Sequence, residues 1–152
     1  MNKNKITIVM PVYNNMSYIK QAIKSVIKQN FKNWEIIISD DQSTDGTIKF
    51  LKSIKHKKIK IFFQKKNLGI FGNLQFLDSK VSTSIVKILS ADDYLLSNSL
   101  KETYLFMKKF PACKLMTCYS SNKLGRNHIE NIILRNDVYS KMGNRFFIKF
   151  TF

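Results

Sequence analysis

Short apolar runs alternate with amphipathic stretches along this chain, and the alternation predicts its elements. Ile6, Thr7, Ile8, Val9 and Met10 form a run of strand length, stopped at Pro11. Tyr18, Ile19, Ala22, Ile23, Val26 and Ile27 then recur at helical spacing, with Lys20, Lys24 and Lys28 on the other side. Residues 34–39 predict a second strand. A helix follows from about Asp45, with Ile48, Leu51 and Ile54 inward and Ser43 or Thr44 as its N-cap. Ile59–Phe63 predicts a third strand, residues 64–69 a loop, 70–78 a helix and 84–89 a fourth strand. Ser99-Leu100-Lys101-Glu102 is a capping box, so a helix starts there and runs to Phe110, before Pro111. Residues 113–119 and 129–134 read as further strands, 120–127 as a polar loop, and 136–142 as a short helix ended by Gly143. The β-α-β-α-β-α-β order implies an α/β fold: a mostly parallel sheet with helices on both faces.

Composition narrows the class. The 152 residues are 44% apolar with five Gly and two Pro, enough for one domain with a real core and too few breakers for disorder. Lys and Arg total 26 against ten Asp and Glu, a net charge of +16. That excess favours anionic partners. Only Arg126, Arg135 and Arg145 are arginines, which argues against nucleic acid, where the bidentate guanidinium is preferred. An AT-rich coding sequence yields the same abundance of Lys, Ile, Asn and Phe. Cys113 and Cys118 have neither the number nor the spacing of a metal knuckle or disulfide framework, and read as small hydrophobes. No segment approaches the ~20 apolar residues of a bilayer span, and none reads as a signal peptide. A cytoplasmic location is expected, with peripheral membrane contact through lysines left open.

Against that basic background the acids stand out. Five of the ten fall in two clusters, Asp40, Asp41 and Asp45 after the second strand, and Asp92 and Asp93 after the fourth. Ligands of open α/β sheets sit beyond the carboxyl ends of the strands. Ser43, Thr44 and Asp45 are explained by capping the next helix. Adjacent Asp40 and Asp41 are not, because no cap needs both; one of the two is expected to contact a nucleotide. Asp92-Asp93 suits a divalent cation such as Mg²⁺, held by one or two carboxylates together with substrate phosphates. His56, in a lysine run, and His128, in a polar loop, have no partner at catalytic spacing.

At this point the sequence resembles family 2 glycosyltransferases, which have the GT-A (Rossmann-like) fold. The resemblance runs from Ile6 through Pro11-Val12-Tyr13-Asn14, along Trp34-Glu35 to Asp40-Asp41-Gln42-Ser43-Thr44-Asp45-Gly46-Thr47. It continues through Asn67-Leu68-Gly69 with Asn73, and reaches Leu89-Ser90-Ala91-Asp92-Asp93. A weaker echo runs from Leu134-Arg135 through Val138-Tyr139 to Gly143.

The resemblance implies a nucleotide-sugar donor, typically a UDP-sugar, a saccharide or lipid-linked saccharide acceptor, and a role in bacterial surface-polysaccharide assembly. Pro11, Val12 and Tyr13 would line the base and ribose pocket, with Asn67 and Gly69 also at the nucleotide. Asp40 or Asp41 would contact the base. Asp92 and Asp93 would form the DXD-type motif, Asp92 on ribose and both on Mg²⁺ or Mn²⁺. The implied mechanism is inverting, with a carboxylate base for the acceptor hydroxyl. Two departures accompany it. Ser90 stands where the first Asp of the motif often is, and no Asp or Glu follows Asp137, where the family's base is expected. The catalytic residue is therefore unassigned. The chain is expected to be a single domain over residues 1–152, incomplete at its C-terminus, lacking the acceptor half, and silent alone or working beside another chain or copy. Phe146, Phe147, Phe150 and Phe152 give it an apolar tail.

Overall fold

The computed structural model describes residues 2–112, the side chains of Asn2 and Lys3 excepted. The elements expected at 113–119, 129–134 and 136–142 lie outside these residues. Eight elements alternate: β1 (Asn2–Val12), α1 (Ile19–Ile27), β2 (Trp34–Asp40), α2 (Thr47–Ser53), β3 (Ile59–Phe63), α3 (Gly69–Ser79), β4 (Thr83–Ile88) and α4 (Ser99–Lys109). The chain divides into two compact units, Met1–Phe106 and Met107–Phe152. All four strands belong to the first and form one parallel sheet in the order β3-β2-β1-β4.

Burial follows the sheet order. Every residue of β2 is buried, as expected for a central parallel strand covered on both faces. Ile6, Ile8 and Met10 of β1 and Ile36, Ile37 and Ile38 of β2 are fully buried, and α3 packs across both strands. Truncating any one of these isoleucines to alanine costs about 2–5 kcal/mol. The outer strands are half-exposed; in β4, Thr83 and Ile85 are buried while Ser84 and Val86 face out.

Pro11 does not stop β1, which continues to Val12. Ladder direction explains this. Even-numbered residues of β1 aim their polar groups at β2: Ile6 N–H donates to Asn33 O, and Val12 O accepts from Asp41 N–H. Odd-numbered residues aim at β4, as Val9 O accepting from Leu89 N–H shows. The β1–β4 register ends at the Val9–Ile88 pair. Pro11 lies beyond that pair on the β4 side, so its missing N–H costs the ladder nothing.

The helix starts differ from expectation in two places. Helix α2 begins at Thr47, with Gly46 before it at φ 94°. Ser43 and Thr44 are not its caps. Asp45 takes that duty from one position further out, its Oδ1 accepting from the Thr47 N–H (3.1 Å) and hydroxyl (2.6 Å). In α4, Ser99 is the first helical residue. Asn98 stands at the cap position, its carbonyl accepting from Glu102 N–H.

Candidate functional site

The strand order reverses between β1 and β4: β2 and β3 are laid down on one side of β1, and β4 on the other. Such a reversal opens a crevice beyond the strands' carboxyl ends. Here it is a cleft of about 310 Å³. Pro11, Val12, Tyr13 and Asn15 contribute from the end of β1, and Asp41 from the end of β2. Asn67 comes from the loop before α3, Gly69, Ile70 and Asn73 from the first turns of α3, and Ser90, Ala91 and Asp92 from the loop after β4. Of the residues singled out in the sequence, Pro11, Val12, Tyr13, Asp41, Asn67, Gly69 and Asp92 line this cleft. Asp40 and Asp93 are not among the lining residues.

The two aspartates after β2 part company. Asp40 is fully buried, and its Oδ1 accepts from Ser43 N–H (3.0 Å), closing the turn locally. Its Oδ2 is buried with no hydrogen-bond partner among the described residues. Asp41 faces the cleft, and its Oδ1 accepts from Leu68 N–H at 2.8 Å. Its backbone carbonyl accepts from Asn67 Nδ2 (3.2 Å), and Asn67 Oδ1 accepts from Gly69 N–H (2.9 Å). The Asn67-Leu68-Gly69 turn is thus tied to the end of β2. Gly69 sits at φ 70°, where a side chain would be strained.

The loop after β2 is laced to the loop after β1. Asn14 N–H donates to Ser43 Oγ (2.8 Å), and Asn14 Oδ1 accepts from Thr44 N–H (2.7 Å). Asn15 N–H donates to Thr47 Oγ1, and Met16 N–H to Asp45 Oδ2. Asn14 holds φ 51°, a conformation asparagine tolerates better than most residues. Burial would raise the Asp45 pKa, but hydrogen bonds from Thr47 and Met16 outweigh it and hold the carboxyl below its ordinary value.

The Asp92-Asp93 turn is built otherwise. Both residues are exposed. Neither carboxylate has a hydrogen-bond or ion-pair partner among the described residues. Partial burial of its carboxyl, and then the charge of Asp92, push the Asp93 pKa up. No group of three His, Cys, Asp or Glu gathers among the described residues, so there is no closed protein cage for a metal. Two free carboxylates beside an open cleft do fit Mg²⁺ or Mn²⁺ shared with substrate phosphates.

Asn15, Ile70, Ser90 and Ala91 line the cleft without an expected role; Ser90 and Ala91 lie within the Leu89–Asp93 motif, and Asn15 and Ile70 directly follow motif residues. Asn73 lines it too, and the sequence assigns it no role. Asn73 is buried, its Nδ2 donates to Ser39 O (2.9 Å), and its Oδ1 has no hydrogen-bond partner among the described residues.

The sequence model described as Glycosyl transferase family 2 matches residues 7–150, and the chain belongs to that family. It is 35% identical over 109 residues to an uncharacterized glycosyltransferase of Haemophilus influenzae, covering 70% of this chain and 44% of that one. It is also 35% identical over 99 residues to the GalNAc(5)-diNAcBac-PP-undecaprenol beta-1,3-glucosyltransferase of Campylobacter jejuni, covering 63% of this chain and 32% of that one. Among solved structures, S. aureus TarS 1-349 in complex with UDP-GlcNAc matches with a TM-score of 0.68 at 22% identity, over 82% of this chain and 37% of that one. That likeness establishes the GT-A-like α/β fold. The chain spans less than half the length of each of these proteins.

Proposed function

We propose that this domain binds a nucleotide-sugar, specifically a UDP-sugar, as the donor half of a glycosyltransferase. The observation that carries the reading is that Asp41 from β2 and Asp92 from β4, far apart in sequence, line one cleft at the sheet's switch point. The base and ribose lie against Pro11, Val12, Tyr13 and Asn67, with the second oxygen of Asp41 accepting from the base. The diphosphate lies toward Ser90, Ala91 and Asp92. The bond from the anomeric carbon to the β-phosphate oxygen breaks, and the leaving diphosphate takes the electron pair. An acceptor hydroxyl attacks from the opposite face, with inversion, and gives its proton to a base not assigned among the described residues. Asp92 and Asp93 would hold Mg²⁺ or Mn²⁺, which when bound neutralises the charge developing on the diphosphate.

A saccharide on a polyprenyl diphosphate is the acceptor class, supported by the undecaprenol-linked acceptor named for the Campylobacter jejuni relative. The UDP-GlcNAc bound to TarS supports the donor class. Such an acceptor puts the domain at the inner face of a membrane by peripheral contact; no helix of the described residues is long and apolar enough to cross one. The process served is surface-polysaccharide assembly.

Calorimetry with UDP and uridine tests the reading. UDP is expected to bind more tightly with Mn²⁺ than with EDTA, and Asp92→Asn to remove that gain while leaving uridine unchanged. Equal UDP affinity with and without metal would remove the case for Asp92 and Asp93 as metal-site residues.

A further inference from the structure

The segment that carries Asp92 and Asp93 is held from outside, by the far end of α1. Gln29 lies just past α1 and is fully buried, unusual for a long polar side chain. Its Nε2 donates to Ser25 O (3.1 Å) and to Leu96 O (2.7 Å), and its Oε1 accepts from Leu100 N–H (3.0 Å). Every polar position of this amide that faces the Leu96–Leu100 stretch is therefore used, and the donor and acceptor requirements fix its orientation.

The neighbours of Gln29 extend the same grip. Ser25 Oγ donates to Ala22 O and accepts from Leu95 N–H (3.0 Å). Asn30 N–H donates to Ser97 O, and Asn30 Nδ2 donates to Asn98 Oδ1 (2.6 Å). On the other side of the turn, Leu89 N–H is fixed to Val9 O, and Asp93 N–H closes onto Ser90 O. Between the last strand contact and the first α1 contact, only Tyr94 separates the closed Ser90–Asp93 turn from the anchored Leu95.

We infer that Gln29, assisted by Ser25, is a positioning residue for the Asp92-Asp93 turn, and so for the diphosphate end of the donor. The role rests on the proposed donor site. It touches no ligand: Gln29 is absent from the cleft lining. Its effect is mechanical. The Asp92 and Asp93 carboxylates have no hydrogen-bond partner among the described residues, so the restraint on their turn comes through the backbone. Backbone anchors just downstream hold the turn while leaving the carboxylates free. Groups that hydrogen-bond metal ligands directly typically contribute 10–100-fold in affinity; Gln29 acts one step further out, so the lower end of that range is expected.

Gln29→Met keeps the side chain's length and removes all three hydrogen bonds. In amide hydrogen exchange on the ligand-free chain, protection is expected to fall at Leu100 and also at Asp93, whose own bond partner is untouched. Loss confined to Leu100, with Asp93 unchanged, would overturn the inference whatever the ligand proves to be. With Mn²⁺ present, UDP affinity in Gln29→Met is expected to fall about tenfold while uridine affinity stays within twofold of the parent chain. A purely structural glutamine would lower the melting temperature and leave the UDP-to-uridine ratio alone, which also overturns it. Ser25→Ala, a milder change that loses the Leu95 anchor, serves if Gln29→Met does not fold, and is expected to move the ratio in the same direction. Ser25→Thr retains the hydroxyl and should retain the ratio. If the parent chain shows no metal-dependent gain for UDP, the metal-site reading of Asp92 and Asp93 fails, and the exchange experiment still decides the mechanical link.

Discussion

After β2 the chain turns through Asp40 to Thr47 with its polar groups bound to one another and to the loop after β1. After β4 it turns through Ser90 to Asn98 with its carboxylates unpartnered among the described residues and its backbone tethered to α1. The two loops carry similar residues and border the same cleft. They differ in where the restraint comes from. In the first, acids are the restraint: Asp40 and Asp45 close the loop, and only Asp41 is turned to the cleft. In the second, restraint is imported, and both acids stay available. The same residue type should therefore give stability phenotypes in one loop and ligand phenotypes in the other.

Asp41 is the exception that tests this division most sharply. It supports Leu68 N–H with one oxygen and faces the cleft. Asp41→Ala is expected to weaken uridine binding by about 10- to 100-fold, the equivalent of one charge-assisted hydrogen bond. Calorimetry with uridine alone checks it. An unchanged affinity would reduce Asp41 to another loop-closing acid, like Asp40.

Glu35, outside both loops, shows what full restraint does to a carboxylate. It is buried on β2, accepting from Lys5 Nζ (2.8 Å) and Thr7 Oγ1 (3.0 Å), with Lys60 Nζ at 3.4 Å. Burial alone would raise its pKa. The hydrogen bonds from Lys5 and Thr7 and the charges of Lys5 and Lys60 outweigh burial, and the pKa is lowered. A depressed carboxylate stabilises the fold above its unfolded pKa, and that contribution is lost as pH falls through the folded value. Denaturant melts should therefore show stability declining from the ordinary glutamate range downward. Glu35→Gln should flatten that part of the curve and cost about 1.5–3 kcal/mol at pH 7.

Asp45→Ala removes bonds to the Thr47 and Met16 N–H groups, and is expected to cost about 1 kcal/mol, the usual worth of a helix-start cap. Because Asp45 does not line the cleft, UDP affinity should stay within twofold. A large loss of affinity would mean that the lacing of the two loops shapes the base pocket directly.

The sheet was legible because each strand centres on a short run rich in Ile, Val and Phe, even where Glu35, Lys60 or Lys87 interrupts it; the expected and observed bounds of the third strand, Ile59–Phe63, coincide. Pro11 misled because a proline's cost depends on which neighbour its missing N–H faces, and that is a property of register, not of sequence. The α2 start misled because Ser43 and Thr44 bond Asn14, which lies 29 and 30 residues earlier. The acidic pairs were legible as pairs. Which of Asp40 and Asp41 enters the cleft was not, since adjacent residues at a strand end face opposite ways and one residue of phase decides between them. Gln29 carried no signal at all. A glutamine at the end of a lysine-rich helix looks solvated until Leu96 and Leu100, 67 and 71 residues later, are brought against it.

The smallest expected effect has the opposite sign from the rest. Asp93 holds its proton more tightly than an ordinary aspartate, first from burial and then from the charge of Asp92. A group whose folded pKa is raised destabilises the fold once it ionises: the contribution is full below the ordinary pKa and is lost as pH rises through the raised value. In EDTA, Asp92→Asn removes the second cause and leaves the first. The Asp93 pKa, followed by NMR of its side-chain carboxyl carbon, should move down without reaching the ordinary value. Stability near neutral pH should rise slightly, by no more than about 0.5 kcal/mol, because the site is exposed and solvent screens the pair. Acids that restrain a loop lose stability when replaced; acids kept free for a ligand should gain it. A clear loss of stability in Asp92→Asn would show that this carboxylate restrains its own turn, and the contrast between the two strand ends would fail.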